Sequence, residues 1–188
     1  TIVELLPQLL PMFDRDISQS LKMSLKGYGV DIHTDAQTQK INKTTNGWSI
    51  EYKLKDDIKD IEAEQVLCAT GRQVRIDKVL EDSINLEMES GRIKIDSNYQ
   101  TSMEGIYAIG DIVPGPQLAH MATAEAIALA DIFAGDDVSI DTKLVPSCIY
   151  THPNIATVGL SEKEAKEQGI EVNVNKSLTT AKAKSVIN

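Results

Sequence analysis

Gly105-Ile106-Tyr107-Ala108-Ile109-Gly110-Asp111 places four consecutive apolar residues between glycines and closes them with a carboxylate. A continuous apolar run of this length predicts a strand buried on both faces, as in parallel α/β sheets. A Pro114-Gly115-Pro116 loop follows. The Ala-rich stretch 118–134 then predicts a long helix, with Gly135 just past its end. Earlier in the chain, Val66-Leu67-Cys68-Ala69-Thr70 repeats the pattern and is closed by Gly71-Arg72. Both runs end where ligands settle in α/β proteins, outside the carboxyl ends of the strands.

Working outward, residues 1–6 form a β-favouring run stopped by Pro7. Ile17, Leu21, Leu25 and Tyr28 recur at helical spacing ahead of Gly29, which predicts a helix over 14–28. Residues 30–33 alternate, 37–41 read as extended, and 48–54 alternates apolar with polar over seven residues. With turns at Asn46-Gly47 and Asp56-Asp57 and a further strand over 58–63, this predicts an antiparallel meander with one wet face. Ser90-Gly91 centres a hairpin between 84–89 and 92–95. Residues 144–150, 156–160 and 172–176 read as strands, and Ser161 with Glu164 forms a capping box for a helix ending near Gly169. Composition shifts near Arg72 and near Asp141.

The 188 residues carry 19 Lys+Arg against 28 Asp+Glu, a net charge of −9. This excludes a general nucleic-acid binder, which needs a basic stripe to neutralise phosphates. Hydrophobic residues at 41% and charged residues at 25% fit a globular chain and exclude a mostly disordered one. The longest apolar stretch, 126–134, is interrupted by Asp131 and is far short of the ~20 residues of a bilayer span. No basic segment precedes 2–6, so no signal peptide is expected, and the chain reads as an internal piece of something longer. Cys68 and Cys148 lie within apolar runs at neither metal nor disulfide spacing. They are expected to be buried small hydrophobes, in a reducing, cytoplasmic compartment.

Several positions could carry chemistry. Glu4, at the end of the first strand, suits the acid that bonds adenosine ribose hydroxyls in a dinucleotide-binding unit, and equally a solvated surface carboxylate. Gly71 allows a tight turn or a close ligand approach. Gly110-Asp111 has the same form with a carboxylate that could accept from a ligand hydroxyl or serve only as a turn residue. The start of the helix at Leu118, Ala119 and His120 offers unpaired N–H groups and the positive end of a dipole. His120 is a ligand contact or a packed residue, and His152 sits in a Pro-fixed turn. Neither has a triad or metal partner nearby in sequence.

Five segments together, residues 1–10, 67–72, 105–111, 117–122 and 145–159, resemble the pyridine-nucleotide–disulfide oxidoreductases, and most of all the branch that oxidises dihydrolipoyl groups. The resemblance implies an α/β fold: Rossmann-like FAD/NAD(P)-binding sheets with an antiparallel meander, plus the start of an α+β interface domain. It implies residues 1–72 as the second half of the NAD domain, 73–141 as the returning segment of the FAD domain, and 142–188 as the opening of the interface domain that pairs two subunits. Glu4 would hold the adenosine ribose and favour NAD over NADP. Gly71 would admit the nicotinamide dinucleotide, Gly110-Asp111 would bind the ribityl chain of FAD, and Leu118, Ala119 and His120 would face the flavin. The parent would pass electrons through a disulfide and FAD to NAD as a homodimer within a lipoyl-bearing 2-oxoacid dehydrogenase or glycine-cleavage complex.

The chain departs from the family pattern in lacking both glycine fingerprints, the closely spaced redox cysteines and the acid–base His. It assigns no catalytic residue and no metal ligand. A silent binding or assembly fragment, a glutathione or mercuric reductase, and a small stand-alone module are the alternatives.

Overall fold

The computed structural model describes residues 1–76, 80–81, 83–142 and 144–178. Its elements are β1 (Ile2–Val3), α1 (Arg15–Gly27), β2 (Ile32–His33), β3 (Ala36–Lys43), β4 (Trp48–Leu54), β5 (Asp57–Ala63), β6 (Met88–Glu89), β7 (Arg92–Ile93), α2 (Ala119–Ala134), β8 (Ser147–Ile149), β9 (Ile155–Thr157) and α3 (Glu162–Glu167). A single 3-10 turn, Gly110–Ile112, precedes α2. The mixed α/β chain divides into two compact units, one built on residues 1–64, 150–155 and the stretch from 160 onward, the other on 65–149 and 156–159.

In the first unit β1 and β2 pair in parallel, Ile2 opposite Ile32 and Val3 opposite His33, with α1 as the crossover. Leu9, Leu21 and Ile32 form the core under this crossover, with Ile2, Leu25 and Val30 packed around them. The inward stripe of α1 is narrower than its periodicity suggests. Ser18 and Leu21 are buried, while Ile17 and Tyr28 are exposed. Gly29, in the left-handed region at φ +78°, ends the helix by donating its N–H to Lys26 O at 2.9 Å.

The meander forms over β3, β4 and β5 as the alternation requires, but 30–33 is no part of it, since Ile32–His33 pairs with β1 instead. The antiparallel order β3-β4-β5 places β4 in the middle, Ile50 facing Ile41 on one side and Ile61 on the other. Ile50 and Tyr52 are buried, whereas β3 is exposed along all but Ala36. A register shift lies between Thr38 and Lys40. The second turn falls at Lys55-Asp56, one residue earlier than the Asp-Asp pair suggests.

In the same unit, Ser161 caps α3 by accepting from Glu164 N–H, and the Glu164 carboxylate accepts from Ser161 N–H at 2.8 Å and its hydroxyl at 2.7 Å. These bonds, the backbone one foremost, hold the Glu164 carboxyl below its ordinary value. A carboxyl depressed in the folded state stabilises fully above its unfolded value and loses that contribution as pH falls through the lowered one. Amide-exchange protection of α3 is therefore expected to fade on acidification below the ordinary carboxylate range. Ser161→Ala should remove about 1 kcal/mol at neutral pH, read from the same amides; unchanged protection would count against the capping box.

In the second unit β6 and β7 form the expected hairpin around Ser90 and Gly91, both left-handed (φ 50° and 78°). Its core is Leu86, Ile93, Ala108 and Val113. Tyr107 meets Phe133 of α2 edge-on, at 4.7 Å between ring centres. Gly135 caps α2 in the left-handed conformation.

Three strand expectations fail. Residues 66–70 form no strand and are exposed, Leu67 at 91%, because no described strand pairs with them. Of residues 106–109 only Ala108 is buried, the other three half-buried. Their backbone bonds go to the nearby, antiparallel segment 99–101 (Thr101 N–H to Ile106 O at 2.9 Å, Ala108 N–H to Tyr99 O at 3.0 Å) instead of to a parallel neighbour. Residues 172–176 lie outside any strand, with Val172 and Val174 exposed. An apolar run states a demand for neighbours; it does not supply them. For the same reason Cys68 is exposed. Cys148 is exposed because strand alternation turns it outward between half-buried Ser147 and Ile149.

Candidate functional site

The second unit gathers the Gly110-Asp111 turn, the start of α2 and the Gly71-Arg72 loop. Asp111 Oδ2 accepts from the Arg72 guanidinium at 2.7 Å, and its backbone carbonyl accepts from Gln117 Nε2 at 3.3 Å. Oδ1 has no partner among the described residues. The ion pair is open to solvent, with side-chain exposures of 67% and 39%, so its own energy is small. Its effect is directional, since it leaves one carboxylate oxygen as an acceptor. Gly110 stands at φ +77°, and a Cβ there would lie 3.3 Å from the Ala122 Cβ. Glycine is thus required twice over, by conformation and by the nearness of α2.

Gly110 donates its N–H to Glu125 Oε2 at 2.6 Å, and Glu125 is 3% exposed. Sequence reasoning missed Glu125. Its one signal is an acid set in line with Met121 and Ala128, the helix's other buried residues. Arg72 and Gln117 were likewise visible inside motifs without a role. Leu118 precedes α2 in extended conformation and gives no side-chain cap, so the first-turn amides of Ala119, His120 and Met121 have no helical acceptor. His120 is exposed, and its Nε2 lies 2.6 Å from Pro146 O. Only a protonated nitrogen can bond a carbonyl, so Nε2 carries the hydrogen.

A surface hollow of about 440 Å³ opens beside Arg72, Arg92 and Gln117. Gly71 lies at φ +116° with open space where a Cβ would stand, so conformation alone favours glycine there, with no close neighbour. In the other unit Glu4 follows β1 directly. Its Oε1 accepts from Leu6 N–H at 2.8 Å, while its own N–H and C=O bond His33 O and Ala36 N–H. Cys68 Sγ is 3.5 Å from Thr70 Oγ1, a bond that lowers its pKa. Among the described residues no cluster of His, Cys, Asp and Glu is arranged to hold a metal ion, and no helix is long and apolar enough to cross a membrane.

In the second unit a turn presents a carboxylate beside a helix start without a side-chain cap, and the first unit by itself carries a parallel crossover; each is a feature found in nucleotide-binding α/β proteins. The family model described as pyridine nucleotide-disulphide oxidoreductase matches residues 1–126, and its dimerisation domain matches 145–188, so the chain belongs to that family. It is 36% identical over 177 residues to dihydrolipoyl dehydrogenase from Staphylococcus aureus, covering 94% of this chain and 38% of that protein. It is 35% identical over 187 residues to the dihydrolipoyl dehydrogenase of Chlorobaculum tepidum, covering 98% and 40%. The HOCl-induced flavoprotein disulfide reductase RclA from Escherichia coli has the same fold, with a TM-score of 0.81 at 22% identity over 97% of this chain and 42% of that one. The chain thus spans about two fifths of the length of these relatives.

Proposed function

We propose that the protein carrying this chain is a dihydrolipoyl dehydrogenase, oxidising a dihydrolipoyl dithiol to the cyclic disulfide and reducing NAD⁺ to NADH with release of one proton. The observation that carries this reading is the 36% identity to such an enzyme over 94% of the chain. FAD would relay the two electrons between disulfide and nicotinamide. The residues here suit that group. Asp111 keeps one oxygen for a ribityl hydroxyl, and the first-turn amides of Ala119 and His120, which have no helical acceptor, could donate to an electron-rich ring edge, with Leu118, whose own N–H bonds Pro116 O, leading into them. Glu4 keeps Oε2 for a ribose hydroxyl of NAD, and Gly71-Arg72 borders Asp111.

In this reading residues 1–72 close the NAD domain, 73–141 return to the FAD domain, and 142–188 open the interface of a homodimer. That homodimer would serve a lipoyl-bearing 2-oxoacid dehydrogenase or glycine-cleavage complex. The unpaired, exposed Cys68 and Cys148 fit a reducing compartment such as the cytoplasm.

The complete protein is expected to purify yellow and to form NADH from NAD⁺ and dihydrolipoamide. A colourless protein without that activity overturns the proposal. Glu4→Arg is expected to raise the ratio of NADPH to NADH kcat/KM roughly tenfold by removing like-charge repulsion; an unchanged ratio removes Glu4 from the ribose site. A second reading concerns the 188 residues alone. Their two cysteines stand far apart and exposed, so the isolated chain is expected to be redox-silent. Lipoamide-dependent NADH formation by the purified 188-residue chain would defeat this.

A further inference from the structure

We propose that Glu125 is a positioning residue for the flavin-facing turn, fixing Gly110 and through it the direction of the Asp111 carboxylate; this rests on the flavin reading above. A carboxylate at 3% exposure is rare and costly unless its oxygens are bonded. Glu125 Oε2 takes the Gly110 N–H at 2.6 Å, a short, charge-assisted length. Ala122, one turn earlier on the same helix, stands 3.3 Å from where a Gly110 Cβ would be. Two residues of α2, three apart and therefore on one face, thus cover this peptide, one by contact and one by a hydrogen bond.

A glycine at φ +77° can rotate where other residues cannot. The bond to Glu125 opposes that freedom on the N–H side, as Val113 N–H does at the Gly110 carbonyl at 3.1 Å. The next residue, Asp111, is then held by Arg72 at Oδ2 and by Gln117 at its carbonyl, leaving Oδ1 to accept from a ligand. Glu125 touches no ligand in this scheme; it sets where one oxygen of Asp111 points.

The test uses the complete protein. Glu125→Ala removes the acceptor, and Glu125→Gln keeps an amide oxygen for the Gly110 N–H. FAD affinity of the apoprotein, the visible spectrum of bound flavin and exchange of the Gly110 amide are measured for both, with Asp111→Asn alongside. The expected result is FAD affinity lowered roughly tenfold in Glu125→Ala, with a shifted flavin band and fast Gly110 exchange, all largely restored in Glu125→Gln. If Glu125→Ala fails to fold, Glu125→Gln decides: near-normal affinity and spectrum support the proposal, and loss of FAD with retained fold overturns it. Wild-type affinity and spectrum in Glu125→Ala also overturn it. If Asp111→Asn weakens FAD and Glu125→Ala does not, only this inference fails; if neither weakens it, the flavin reading itself fails.

Discussion

Asp111→Asn in the complete protein is expected to weaken FAD binding by roughly ten- to a hundredfold, since a hydrogen bond to a charged acceptor contributes about 1.5–3 kcal/mol and each 1.4 kcal/mol is a factor of ten. Asparagine keeps the shape of the side chain but loses the charge that orders Arg72 at 2.7 Å. Both the acceptor strength of Oδ1 and its direction therefore suffer. Arg72→Ala separates the two effects. It leaves the carboxylate charged and free to turn, so a smaller loss is expected, recovered at high FAD concentration. Quenching of flavin fluorescence during titration of apoprotein measures both. Equal, wild-type affinity in Asp111→Asn would remove this carboxylate from the flavin site, and Asp57→Asn, on exposed β5, serves as the neutral control.

The second large effect concerns the meander. A Cβ on Gly47 would lie 2.3 Å from Ala63 O and 3.1 Å from Glu64 Cα, both backbone atoms that no rotamer change can move aside. Thr44 N–H bonds Gly47 O at 2.9 Å and Trp48 pairs with Ala63, so shifting either segment breaks the end of the sheet. Gly47→Ala is expected to cost about 3 kcal/mol, at the upper end for overpacking. Trp48 is the only tryptophan of the 188 residues and adjoins Gly47, so its fluorescence in a urea titration of the 188-residue chain reports the change directly. Gly27→Ala, at the last residue of α1 with open space around it, should change the midpoint the other way, by about 0.5 kcal/mol. A wild-type midpoint for Gly47→Ala would mean that the Gly47–Ala63 approach does not exist in solution.

The sequence was most legible where local signals decide structure. The α1 helix, the meander, the Ser90-Gly91 hairpin, α2 with its Gly135 cap and the Ser161–Glu164 capping box each follow from residues a few positions apart, whereas the parallel pairing of 32–33 with β1 does not. The apolar runs at 66–70 and 172–176 misled because their demand for neighbours is met, or not met, far away in the chain. The run at 106–109 found a local antiparallel partner in 99–101, a choice that apolarity alone cannot reveal. The Gly110-Asp111 turn and the helix start could be read ahead of the structure because both are marked by residue type. The bonds that Arg72 and Gln117 donate and that Glu125 accepts could not, since each depends on the register of one segment against another.

The meander's two outer strands carry an implication for handling the protein. β3 and β5 each leave one side of their backbone unpaired within the sheet, an open template for recruiting further chains. Lys40 and Lys43 on one, and Asp57, Lys59, Asp60 and Glu62 on the other, are exposed along those margins. Strand recruitment would force such charges into register with their own copies, so concentrated solutions should resist fibre growth until salt screens the repulsion or the acidic side chains are neutralised.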